Sequence, residues 1–162
     1  MLSGICVISS ILAIFTVKCF KRRTLIIYGH IIMALAHLGV AIFNIHKINI
    51  GVLIMIGVFD FTYCQTSGPV AGLYATETTA DTALGLCLLT LWGVTYILSI
   101  VCPIIMGDDF LGKTNTFFLF AGLSFMGSIY GLFLMKETYG LTDKEKKSLY
   151  TPKKKELKVP IY

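Results

Sequence analysis

The chain has 162 residues, 56% hydrophobic and 14% charged, with a mean hydropathy of +0.78 and a formal charge of +5. Ordinary soluble domains are roughly a quarter charged, and no soluble core of this size could hide so much apolar surface, so a soluble globular fold is excluded. The positive charge is gathered in short segments beside apolar ones, a pattern of membrane topology and not of a nucleic-acid partner.

A hydrocarbon core about 30 Å thick takes roughly 20 apolar residues per spanning helix. Residues 1–136 therefore predict an all-α, polytopic membrane helix bundle of about five transmembrane helices, and residues 137–162 a basic tail. In chain order the spans are 2–17, 25–45, 50–74, 83–106 and 117–135. Lys18, Lys21, Arg22 and Arg23 follow the first apolar run instead of preceding it. That is the reverse of a cleaved signal, so a retained signal-anchor helix is expected. If the loops alternate sides, one side carries twelve of the fourteen Lys and Arg, and the other only Lys47 and Lys113. The positive-inside rule then puts the carboxy terminus in the cytoplasm or the mitochondrial matrix. The basic loop and tail are expected to meet anionic lipid head groups. Residues 151–162, rich in lysine and ending Val159-Pro-Ile-Tyr162, are expected to be ordered only against another chain.

Asp60 is the one acid well inside a span. An ionised carboxylate near the bilayer centre costs about 3 kcal/mol on insertion scales, so such a residue suggests a function. His30 and His37 are seven residues apart and share one face of the second span. The three read either as a proton or cation relay or as a protonated acid and two packed histidines. Thr62, Gln65, Thr66 and Ser67 precede Gly68-Pro69 and are placed to bond the carbonyls that a proline leaves free. Gly68 and Gly72, and Gly127 and Gly131, make two G-x-x-x-G pairs for close helix packing, within the chain or against a partner. Cys6, Cys19, Cys64, Cys87 and Cys102 are scattered without metal-ligand spacing. No phosphate-cradling loop or nucleophile elbow is present, so no enzyme, cofactor or metal is expected.

Three landmarks carry a sharper signal. The first span is followed by Val17-Lys-Cys-Phe-Lys-Arg-Arg-Thr-Leu-Ile-Ile-Tyr-Gly29, the third ends in Gly68-Pro-Val-Ala-Gly-Leu-Tyr-Ala-Thr-Glu77, and the last is followed by Lys136-Glu-Thr-Tyr-Gly140. In order and separation these resemble landmarks of the sugar porters of the major facilitator superfamily: D-R-x-G-R-R after helix eight, G-P-x-x-W-x-x-x-E-x-x-P-x-x-x-R-G at helix ten, and P-E-T-K-G after helix twelve. The resemblance covers nearly the whole chain, aligned to family helices eight to twelve. It implies gate or motif roles for Arg22, Arg23, Gly68, Pro69, Glu77, Gly85, Glu137 and Gly140, and substrate-cavity positions for Thr66 and Trp92. Lys18, Cys19 and Leu84 stand where the family has Asp, Arg and Arg, and Gly72 where it has the tryptophan of the sugar site. With those charges replaced, Glu77 and Glu137 are expected to lack the partners that latch the family's inner gate.

The family's helix seven, Q-Q-x-S-G-x-N, and its amino-terminal half have no counterpart in the sequence. Transport in this superfamily rocks two halves about a midplane site, and five helices of one half do not enclose a path. The expectation is therefore a non-catalytic, transporter-derived accessory subunit with a structural role among other subunits of a membrane complex, in the mitochondrial inner membrane. Part of a split facilitative hexose transporter, with sugar as its ligand, is the alternative; a longer transporter chain shortened in its gene model is a third.

Overall fold

A computed structural model describes residues 2–107 and 109–150, and its regular elements are all helices: α1 (Leu2–Cys19), α2 (Arg22–Ile45), α3 (Asn49–Gln65), α4 (Ser67–Thr78), α5 (Asp81–Ile105), α6 (Gly112–Phe133) and α7 (Asp143–Ser148). The expectation for residues 151–162 lies outside the described residues. Four stretches are long and apolar enough to cross a membrane: α2, α3 with α4, Ala83–Ile105 in α5, and α6. Helix α1 is apolar but short: 18 residues rise about 27 Å, just under a core of about 30 Å.

Lipid supplies no hydrophobic drive between helices, so close backbone approach and polar ties hold the bundle. Helix α2 lies at its centre. Its most extensive contact is with α6, and its next is with α3. Gly127 and Gly131 make the first contact possible. A Cβ on Gly127 would stand 2.7 Å from His30 Nε2, and one on Gly131 would stand 3.1 Å from Ile26 and Ile27. The second glycine pair therefore packs within the chain, whereas Gly72 of the first pair has nothing within 4 Å. Two polar ties reinforce the arrangement. Gln65 Nε2 donates to Ser9 O at 3.0 Å and Gln65 Oε1 accepts from Thr16 Oγ1 at 2.9 Å, joining α3 to α1. Asn44 Nδ2 donates to Thr114 Oγ1 at 2.7 Å, joining the end of α2 to the start of α6.

The third span, expected as one helix, is two. Thr66 leaves helical geometry with φ −122° and ψ −85°, and its amide is shared between Thr62 O and Tyr63 O. Pro69 then falls in the first turn of α4, where its missing N–H breaks no helical bond. Thr62 and Thr66 bond the carbonyls four residues back, Val58 O and Thr62 O, both at 2.8 Å.

Helix α2 ends in a Schellman motif, with Lys47 N bonded to Asn44 O and Ile48 N to Phe43 O. Lys47 holds the left-handed position, φ 57°, where glycine is usual. Helix α5 stands apart. No residue of its membrane-length stretch is buried, against half of the most apolar stretch of α2, and its main contacts among the described residues are with α4 and α6.

Candidate functional site

Most of the sequence-predicted residues gather in two places, a charged end of the bundle and a cavity midway along it. At the charged end, only two residues separate α1 from α2, so Arg22 and Arg23 open α2 beside the ends of α4 and α6. The Glu137 carboxylate accepts the first amides of α2, Arg22 N at 3.1 Å and Arg23 N at 3.2 Å, and also Thr138 N and Tyr139 N. An anion there satisfies orphan donors and faces the positive end of the helix dipole.

Glu77, at the end of α4, accepts from Arg22 Nη2 at 3.4 Å, Lys146 Nζ at 3.2 Å and Thr138 Oγ1 at 2.6 Å, with only 10% of its side chain exposed. The expectation that Glu77 and Glu137 lack partners is thus corrected. The surviving arginine, the α2 amides and a lysine from α7 take up the charge.

Arg22 also donates to Val17 O and lies 5.4 Å from the Tyr139 ring centre. Arg23 donates to Gly131 O at 3.1 Å and to Leu132 O, tying the start of α2 to the end of α6. Gly140 adopts φ +81°, a turn that glycine alone takes without strain. That turn brings α7 back under α4.

Helix α7 carries a complete capping box. Glu145 accepts from the Thr142 hydroxyl at 2.7 Å and the Thr142 amide at 2.8 Å, and these bonds hold its carboxyl below the usual carboxylate range. Tyr150 folds back so that its hydroxyl lies 2.5 Å from that of Tyr74, and Lys136 N donates to it at 3.1 Å. Thr138, Lys146, Tyr74 and Tyr150 were not foreseen as partners. The Thr142-x-x-Glu145 spacing was a readable sign that a helix would return here.

The second place is a cavity of about 570 Å³ between α2, α3 and α6, with Asp60, His30 and His37 all in its wall. No hydrogen bond joins the three among the described residues. His30 Nδ1 lies 2.9 Å from Ile26 O and 3.3 Å from Ser67 Oγ. Buried His37 is ringed by Phe59 at 4.5 Å, Phe120 at 5.8 Å and Phe117 at 6.0 Å between ring centres. Half-buried Asp60 has no hydrogen bond or ion pair among the described residues.

Thr66 and Trp92 do not meet. Thr66 is buried against Gly29, where an added Cβ would stand 2.6 Å from the threonine Cβ, and its hydroxyl is bonded into its own helix. Trp92 is 69% exposed on α5, and neither residue lines the cavity. Gly85 lies near the start of α5 in open space, and Gly68 packs on Tyr63.

The family model described as sugar (and other) transporter matches residues 1–150. Among solved structures, the fold is similar to the inward-open conformation of the xylose transporter XylE from E. coli, with a TM-score of 0.81 at 21% identity. The match covers 91% of this chain and 34% of that protein, so the chain spans about a third of its length. No curated protein matches. The all-helical bundle is thus similar to part of the fold of a major facilitator transporter, and the match over residues 1–150 settles its membership: the chain belongs to the sugar (and other) transporter family.

Proposed function

We propose that the chain serves as a transporter-derived membrane subunit, non-catalytic and structural, that lends its helices to a larger membrane complex. The observation that carries this reading is the fate of the two expected substrate residues. Thr66 spends its hydroxyl on Thr62 O, and Trp92 lies on an uncovered helix. Sugar recognition needs convergent donors and acceptors beside an aromatic platform, and these two supply neither together. The open sides of α5 leave room for helices of other subunits, and the lysine-rich segments suit anionic lipids. The mitochondrial inner membrane, with the carboxy terminus on the matrix side, is the location proposed with this role.

The test is the native mass and protein composition of the particle that holds the full chain after mild detergent extraction. A large heteromeric particle without another transporter half is expected. A small particle, alone or with one complementary transporter chain, overturns the proposal.

A second reading, part of a split facilitative sugar transporter, is favoured by the fully partnered Glu77 and Glu137. Its test is uptake of labelled hexose into vesicles containing the native assembly. Uptake that Thr66→Ala or Trp92→Ala abolishes would establish this reading over the structural one.

A further inference from the structure

The cavity between α2, α3 and α6 has a chemistry that neither structural packing nor sugar binding uses. Its volume of about 570 Å³ lies within the range of small-molecule sites, about 300–1,000 Å³. Its wall is mostly apolar and strongly aromatic: Phe59 packs on His37 at 4.5 Å and stacks with Tyr63 at 6.2 Å, while Phe117 and Phe120 meet edge to face at 6.5 Å. Among the described residues one acid, Asp60, stands in this wall, and no lysine or arginine lines it. Aromatic faces attract cations through their quadrupole, and a carboxylate at membrane depth calls for a counter-charge. His30 Nδ1 is held by Ile26 O and Ser67, His37 is enclosed by phenylalanine rings, and among the described residues neither is hydrogen-bonded to the acid.

The geometry points to a binding site for a lipophilic organic cation, its ammonium on Asp60 and its apolar body among Phe59, Tyr63, Phe117 and Phe120. Such a molecule partitions into the membrane and reaches the cavity from the bilayer. Its positive charge replaces the cation that the wall lacks.

The probe is dansylcadaverine, a fluorescent alkylammonium, compared with its uncharged N-acetyl derivative. Binding to the full chain in phosphatidylcholine nanodiscs is followed by fluorescence anisotropy, with empty discs as the partition background. The wild-type chain is expected to bind the ammonium probe saturably and about ten-fold more tightly than the acetylated one. Asp60→Asn should close that gap and leave the neutral probe's affinity unchanged, and Leu89→Ala, exposed on α5 outside the cavity, should change neither. Carbodiimide labelling of Asp60 in the wild-type chain, read by mass spectrometry, gives a measurement that needs no variant. The ammonium probe should slow this labelling and the acetylated probe should not. Equal affinity of the two probes for the wild-type chain, a gap that persists in Asp60→Asn, or labelling that the ammonium probe leaves unprotected would each overturn the assignment.

Discussion

Replacing Gly127 by alanine tests the packing of α2 on α6, because the same change at Gly122 on the same helix should have the opposite sign. In a helix interior, alanine is favoured over glycine by roughly 0.5–1 kcal/mol. Gly122 faces open space, so Gly122→Ala should show that gain alone. At Gly127 the new methyl would meet the His30 ring, 2.7 Å from Nε2. The ring is not free to swing aside, since Nδ1 lies 2.9 Å from Ile26 O and 3.3 Å from Ser67 Oγ. Overpacking of this kind costs about 1–3 kcal/mol, which leaves a net loss centred on about 1 kcal/mol after the propensity gain. The two variants should therefore differ by about 2 kcal/mol, or roughly 4–8 °C in melting temperature for a chain of this size. The assay heats the detergent-solubilised chain and follows reaction of half-buried Cys64 and Cys102 with a maleimide dye. In a double-mutant cycle, His30→Ala should recover much of the loss in the Gly127→Ala background, because the two side chains share one space. A Gly127→Ala variant that melts at or above Gly122→Ala, or a cycle without coupling, would refute this account of the interface.

Three further outcomes follow from the charged end and the helix caps. Glu77→Gln leaves Arg22 and Lys146 facing each other, at 14% and 16% side-chain exposure. Breaking a buried pair costs about 3–5 kcal/mol, reduced here by solvent screening to about 2. The α7 segment should loosen, and trypsin should cut beside Lys146 faster than in the wild type; unchanged cleavage would contradict this. Lys47→Gly removes a left-handed non-glycine residue from the end of α2 and should raise stability by about 0.5–1 kcal/mol in the same melting assay. The Glu145 carboxyl is held low by the Thr142 hydroxyl and amide, so its cap on α7 is fully present above the ordinary carboxylate pKa of about 4.3. The cap is lost as pH falls through the lowered value. A spin label at exposed position 144, in a background with the native cysteines replaced, should gain mobility only in that acid range, and Thr142→Ala should move the transition to higher pH.

The spans were legible because lipid offers backbone groups no partner, so each crossing is built of apolar helix, unbroken in all but the third. Residues 83–106 differ from α5 by only two residues at its start and one at its end. The amino-terminal ends of α2 and α6 were set too late for a shared reason. Arg22 and Arg23, and Lys113, Thr114 and Asn115, are too polar for a hydropathy window but are helical, tied by Glu137 to the first amides and by Asn44 to Thr114. The break at Thr66 was written in Gly68-Pro69, a helix-start signal that was read instead as a motif within one continuous span over residues 50–74. Asp60, His30 and His37 stood out because polar groups are rare at membrane depth. Phe117 and Phe120, which complete the same cavity, look like any other apolar residues of a span. The ties of Glu77 to Arg22, 55 residues earlier, and to Lys146, 69 residues later, had no local sign.

The seating of α2 against α6 also sets a timetable for biogenesis. Helix α2 ends at Ile45 and α6 at Phe133, so the ribosome must add 88 more residues (133 − 45) before the second member of the main pair is complete. At synthesis rates of about 5–20 residues per second, that wait is roughly 4–18 s. During it, the face of α2 that will receive Gly127 and Gly131 has only lipid, the insertion machinery or another chain beside it. Helix α5 emerges within the same interval, and it is the most hydropathic of the four spans and the least dependent on neighbours. A nascent chain stalled between α5 and α6 should therefore stay inserted with that face of α2 unpaired, and quality control would meet it in that state.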